Sequence, residues 1–80
     1  MEKTIEQKRM HYYEVINLIK KLGEAKGYTT QQKFAEGTGV NQAYISVMMN
    51  GRELLPYNQL KKLMEHFEIK MPIIFPWQLN

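Results

Sequence analysis

The sequence predicts an all-α fold, a compact bundle of four or five helices followed by an apolar, extended C-terminal tail. Apolar residues recur at steps of three and four along most of the chain, which is the period of helices with one buried face. Glycines and prolines divide this pattern into segments of helical length. Eighty residues form one domain with a modest core. We therefore assign residues 1–71 to the bundle and residues 72–80 to the tail.

The first helix is predicted over Thr4–Leu22. Its apolar side chains form one stripe, which consists of Ile5, Tyr12, Val15, Ile16, Ile19 and Leu22. Lys20 and Lys21 are expected in the last turn, where cations interact favourably with the helix dipole. A glycine in the left-handed conformation commonly follows a helix, so either Gly23 or Gly27 is expected to end this one.

The second helix is predicted to be short and to begin in the stretch "YTTQQKFAEG". Either Thr29 or Thr30 is expected to cap it, and Thr29 followed three residues later by Gln32 resembles a capping box. The helix is expected to stop at Gly37 or Gly39, because glycine accepts the backbone angles of a helix end.

The third helix is predicted to begin at Asn41, a favoured N-cap residue, and to run to about Met49 before an Asn-Gly pair. The fourth helix begins near Pro56, since proline suits a first turn. Its buried face is expected to consist of Leu60, Leu63, Met64 and Phe67. The stretch "IKMPIIFPWQLN" contains two prolines, and proline interrupts a helix. We therefore expect an extended tail that could form a strand. Little or no other sheet is expected.

Composition argues against several classes of protein. The chain has no cysteine, which excludes disulfides and thiolate metal sites. Its single serine, Ser46, lies outside any G-x-S-x-G motif, and no glycine-rich phosphate loop is present. His11 and His66 have no carboxylate at ligand spacing, so we expect exposed surface histidines and not a zinc site. We expect no enzymatic activity, no metal, no cofactor and no small-molecule effector.

The net charge favours an anionic partner, although its uneven distribution argues against a purely electrostatic surface binder. The chain carries 11 basic and 8 acidic residues, for a net charge of +3.

The start "MEKTIEQKRM" is charged where a signal peptide would be apolar, and no apolar run approaches membrane-spanning length. We therefore expect a cytoplasmic, nucleoid-associated protein that does not enter the membrane.

Residues 31–45 have the residue types that two helices need when they cross over a tight turn. If Gln31 is counted as the first residue, Ala35 is the fifth and Gly39 the ninth. The helices touch near the fifth position, which requires a small side chain, and the turn requires a positive φ, which glycine adopts without strain. The side chains expected in the core are Phe34, Val40, Ile45 and Met48. Those expected to point outward are Gln42, Ala43, Ser46 and Val47, with Tyr44 at the edge.

The stretch "TQQKFAEGTGVNQAYISVMMNG", followed by a basic residue, Pro56 and an apolar helix, resembles the helix-turn-helix of the Cro/C1-type repressor family, also called the XRE family. The resemblance covers about Tyr28 to Ile69, roughly half the chain. It implies a lambda-repressor-like, DNA-binding fold for residues 1–71. It also implies that the third helix, about residues 41–49, lies in the major groove of a palindromic operator. The implied partners are double-stranded DNA and, at least on DNA, a second copy of the chain.

The resemblance also implies which residues contact DNA. Gln42 would pair its amide with adenine N6 and N7, while Ala43 and Val47 would pack on thymine methyl groups. Ser46 is the remaining base-contacting candidate. Charge is better placed on the flanks of the reading helix, against phosphates. The residues expected at the DNA backbone are Thr30, Gln31, Lys33, Tyr44, Asn50, Arg52, Tyr57 and Asn58.

Two alternatives stay open on the sequence alone. The chain is either a transcriptional repressor of bacterial, phage or plasmid type or a protein-interaction module, such as an antirepressor or the helix-turn-helix component of a toxin–antitoxin pair. Two features keep the second alternative open: the apolar tail, and residues 29–60, where two basic and two acidic side chains cancel. The apolar tail is either a cover for the domain's own core or a dimer contact, because so apolar a patch is costly to leave in water.

Overall fold

The computed structural model describes residues 10–51, 53–70 and 73–74, and these residues form four helices and one pair of very short strands. The helices are α1 (Tyr12–Ala25), α2 (Gln31–Thr38), α3 (Gln42–Asn50) and α4 (Tyr57–His66). The strands are β1 (Met10–His11) and β2 (Ile73–Ile74), which pair in parallel. The predicted all-α fold with four helices is confirmed.

The start of α1 differs from the prediction. Residues 10 and 11 are extended and form β1, so the helix begins at Tyr12 and not at Thr4. Residues 4–9 of the predicted helix lie outside the described residues. His11 caps the helix: its Nδ1 accepts a hydrogen bond from the Tyr13 N–H at 3.3 Å, and its own N–H donates to Glu14 Oε1 at 2.8 Å. These bonds satisfy backbone groups that a helix start leaves without intrahelical partners.

The end of α1 also differs from the prediction. The helix continues to Ala25, so Lys20 and Lys21 are not in its last turn. Gly23 lies inside the helix and is buried. Gly27 follows the helix and adopts φ 89°. This conformation allows the Tyr28 N–H to donate a hydrogen bond to the Gly23 carbonyl at 2.9 Å.

The core lies between the four helices. The apolar stripe of α1 is buried as predicted at every described position except Leu22, which is half-buried. Phe67, which directly follows α4, is also half-buried and packs at the edge of the core. The buried side chains are Tyr12, Val15, Ile16, Ile19, Phe34, Val40, Ile45, Met48, Leu55, Leu60, Leu63 and Met64.

A buried hydrogen bond joins α1 to the segment that precedes α4. The Leu55 N–H donates to Tyr12 Oη at 2.8 Å, between residues 43 positions apart. Burial raises the pKa of the Tyr12 hydroxyl above its ordinary value of 10.0, and the bond from Leu55 lowers that pKa in part. The phenol therefore satisfies a backbone amide in a loop and fixes this loop against α1.

The tail is described only at Ile73 and Ile74, which pair with Met10 and His11 respectively. The expectation of an extended tail holds at these two residues. The Ile73 side chain is half-buried against the core. The rest of residues 72–80 lies outside the described part of the chain, and a dimer contact made by the tail stays a prediction.

Candidate nucleic-acid interface

The first turn of α2 is organised by two threonines. Thr30 is the N-cap, and its Oγ1 accepts a hydrogen bond from the Lys33 N–H at 3.1 Å. The capping box predicted from Thr29 to Gln32 does not form, because the Gln32 amide donates to Glu36 Oε2 at 3.2 Å. Thr29 instead accepts from Lys33 Nζ at 3.5 Å. Since the Thr30 oxygen acts as acceptor in its cap, its hydroxyl proton remains able to donate to a phosphate.

The turn between α2 and α3 has the predicted glycine. Gly39 adopts φ 79° and ψ 9°, and its N–H donates to the Ala35 carbonyl at 2.8 Å. Asn41 is the N-cap of α3, as predicted, and its Oδ1 accepts from the Ala43 N–H at 2.8 Å. Gly51, at φ 72°, ends α3. The two helices are therefore bounded by local caps at positions that the sequence indicates.

The inner side of this helix-turn-helix unit matches the prediction. Phe34 and Val40 are buried, and so are Ile45 and Met48, each with at most 2% of its surface exposed. Ala35 is half-buried and packs against this core cluster. Burying four large side chains holds α2 and α3 in one relative orientation.

The outer side of α3 matches the prediction only in part. Gln42 and Ala43 are exposed, whereas Ser46 and Val47 are half-buried. Val47 packs against the core, and so does Tyr44, one helical turn before it. Val47 precedes the buried Met48, so it lies at the edge of the helix's inner face and offers only part of its side chain to a partner.

The polar groups of α3 differ in how they are engaged. Among the described residues, no side chain or backbone group hydrogen-bonds the Gln42 side chain, so its amide can both donate and accept. Ser46 Oγ accepts a hydrogen bond from the Asn50 amide at 3.4 Å. Because this bond uses the oxygen of Ser46, its hydroxyl proton is left for an outside acceptor.

The flanking candidates lie on α2, which precedes α3, and at the start of α4, which follows it. Lys33 is exposed on α2, and Gln31 is half-buried at the start of the same helix. Tyr57 and Asn58 are exposed in the first turn of α4. Arg52 lies outside the described residues. No charged residue occurs in α3 itself, so its outer side is a neutral surface of amide, hydroxyl and methyl groups.

A hollow of about 590 Å³ adjoins the start of α2. Two of the predicted backbone contacts, Thr30 and Gln31, line it, together with Met49 from α3. Lys20 and Glu24 of α1 also line it, and neither was among the predicted site residues. The sequence predicted Lys20 only in the last turn of the first helix, and no local signal indicates that it lies beside α2.

Both histidines are half-buried, which corrects the prediction that they are exposed. His11 caps α1, and His66 Nε2 lies 3.1 Å from the hydroxyl of Tyr28. Across the described ranges, no group of three or more histidine, cysteine, aspartate or glutamate side chains converges. None of the described helices is long and apolar enough to cross a membrane.

The fold and this surface define a class of architecture: a small all-α domain whose helix-turn-helix unit presents an uncharged outer helix. Comparisons with protein families, with curated proteins and with solved structures found no match to the chain.

Proposed function

We propose that the protein is a sequence-specific DNA-binding transcriptional repressor of bacterial, phage or plasmid type, similar to the Cro/C1 family. The observation that carries the proposal is the α2–α3 unit, in which Gly39 at φ 79° turns the chain and Gln42 and Ala43 are exposed on α3. A helix that reads base edges in the major groove needs amide and methyl groups on its outer side. Bound to a palindromic operator, the protein represses by covering the promoter.

Each exposed group has a matching group on DNA. The Gln42 amide donates to adenine N7 and accepts from adenine N6, while Ala43 and the exposed part of Val47 contact thymine methyl groups. Thr30, Gln31 and Lys33, at the start of α2, contact phosphates, which are favoured at the positive end of a helix dipole. This division places sequence readout on α3 and affinity on its flanks.

Selection of bound DNA from a random pool, followed by a salt titration, tests the proposal. We expect enrichment of a palindrome containing A·T pairs, and an affinity that falls as salt rises because phosphate contacts release counterions. The second candidate function, a protein-interaction module, is favoured by the absence of charged residues from α3. Recovery of no preferred sequence, with binding insensitive to salt, would contradict DNA recognition and favour that candidate.

Replacing Gln42 with alanine is expected to leave the fold intact but to lower discrimination at one base pair of each half-site by about 1–3 kcal/mol. The reason is that the exposed amide loses both of its hydrogen bonds to adenine. Binding of the selected operator and of operators substituted at each position measures the effect.

Gln32→Ala is the matched control, because Gln32 is an exposed glutamine of α2 outside the predicted contacts. It is expected to leave base preference unchanged. If Gln42→Ala bound the selected operator with wild-type affinity and preference, the assignment of Gln42 would be wrong.

Deleting all residues after Met71 is expected to lower the melting temperature and to weaken binding to the full palindrome. Ile73 packs against the core and its backbone pairs with Met10, so the deletion removes apolar contact and a strand pair. Fully burying such a side chain contributes about 1.5–3 kcal/mol, and a half-buried one contributes less.

We also expect the protein to be a dimer on DNA, with residues 72–79 helping to hold the two copies together. Thermal melts, sedimentation and operator binding report these effects separately.

Ile73→Ala separates the two roles of the tail. If the tail only covers the core, this variant should lower the melting temperature and keep the mass of the wild type. If the tail also holds a dimer, only the deletion should produce a monomer that still folds. A truncated protein with unchanged stability, mass and operator affinity would exclude both roles.

A further inference from the structure

The hydroxyl of Thr38 links α2 to the turn that leads into α3. Thr38 Oγ1 donates to the carbonyl of Phe34 at 2.8 Å and accepts from the N–H of Val40 at 3.3 Å. Phe34 and Val40 expose 1% and 2% of their surfaces, so both bonded backbone groups belong to residues fixed in the core. One hydroxyl therefore connects the last turn of α2 to the residue that follows Gly39.

No other side-chain hydrogen bond joins these two segments within the described residues. Gly39 is exposed, and a Cβ built on it would have no neighbour within 4 Å, so nothing packs over the turn at this point. Asn41 uses its side chain to cap α3 and does not reach back to α2. The packing of Phe34, Ile45 and Met48 holds the two helices together. At the turn itself, the direction in which α3 leaves α2 depends also on the Gly39 backbone and on the Thr38 hydroxyl.

We propose that Thr38 is a positioning residue for DNA reading: its hydroxyl sets the orientation of α3 against α2 and thereby the operator selectivity of the protein. This inference rests on the proposed function. Hydrogen bonds to base edges require donor–acceptor distances near 3 Å and weaken steeply when misaligned. Phosphate contacts by long, mobile side chains tolerate small displacements of the helix. A loss of orientation therefore lowers specific binding more than non-specific binding.

The variants Thr38→Val and Thr38→Ser isolate the hydroxyl. Valine keeps the size of threonine but can neither donate to Phe34 nor accept from Val40, whereas serine keeps both capacities. Tyr12→Phe is the stability control, since it removes the hydroxyl that accepts from Leu55 and leaves the α2–α3 unit untouched. All proteins are compared well below their melting temperatures, after circular dichroism has shown that they are folded.

The readout is the ratio of affinities for the selected operator and for non-specific DNA at one salt concentration. Thr38→Val is expected to lower this ratio about tenfold, the size of one lost base contact. Thr38→Ser is expected to restore the wild-type ratio. Tyr12→Phe is expected to lower the melting temperature and to leave the ratio unchanged.

Several outcomes would overturn the inference. A wild-type ratio for Thr38→Val would show that the hydroxyl does not position α3. An equal loss for Thr38→Ser, which keeps the hydroxyl, would show that the effect is not specific to the hydroxyl. An equal loss for Tyr12→Phe would assign the effect to general destabilisation. If the wild-type protein selected no operator, the proposed function and this inference would both be overturned. The outcomes for the Thr38→Val, Thr38→Ser and Tyr12→Phe variants bear on the inference alone.

Discussion

Replacing Gly23 with alanine is expected to destabilise the domain by roughly 1–3 kcal/mol, the usual cost of overpacking a core. A Cβ at Gly23 would lie 2.2 Å from Cε2 and 2.5 Å from Cζ of Phe34, distances at which either the ring or one of the two helices must shift. The ring of Phe34 is buried and lies against Tyr28 and Phe67, with ring centroids at 5.3 Å and 6.1 Å, so it has little room to turn away. Urea unfolding of both proteins measures the change.

The sign of this effect separates packing from helix propensity. Propensity alone predicts that alanine stabilises the interior of a helix by about 1 kcal/mol relative to glycine. In a Phe34→Leu background the ring is absent, so Gly23→Ala is expected to become neutral or stabilising. An equal loss of stability in both backgrounds would show that contact with Phe34 is not the cause.

Replacing Gly39 with valine is expected to cost roughly 1–3 kcal/mol of stability, because a β-branched residue is strained at positive φ. Gly39 adopts φ 79°, and a Cβ there would have no neighbour within 4 Å. The expected cost therefore comes from backbone conformation and not from a clash. Thermal melts of the two proteins measure it.

Gly39→Asn is the control for this substitution, since asparagine enters the left-handed region more readily than other residues that have a side chain. It is expected to lose clearly less stability than Gly39→Val. A valine variant with the melting temperature of the wild type would mean that the turn does not require glycine, and the alignment with the Cro/C1 motif would then be lost.

The bounds of α3 and its inner side were predictable from the sequence. Asn41 caps the start of the helix, Gly51 ends it in the left-handed conformation, and Gly39 forms the preceding turn. These features depend on hydrogen bonds between residues at most four positions apart, so the local sequence contains the information. The buried positions Ile45 and Met48 follow from helical periodicity in the same way.

The candidate surface was predictable in its centre and less so at its edges. Gln42 and Ala43 are exposed, as their positions after the N-cap indicate. The half-burial of Val47 depends on how far α3 is rotated toward the core, which the sequence of α3 does not specify. Lys20 borders the surface because α1 crosses beside the start of α2, and that placement arises from packing between helices.

Only the tertiary structure decided the start of α1 and the role of Gly23. The helical pattern continues through residues 4–11, but β1 pairs with β2 more than 60 positions along the chain, and this pairing makes residues 10 and 11 extended. Gly23 looks like a helix end in the sequence, yet it lies within α1, where the ring of Phe34 occupies the space that a side chain would fill. Both outcomes depend on groups that are distant in sequence, whereas capping and periodicity depend only on near neighbours.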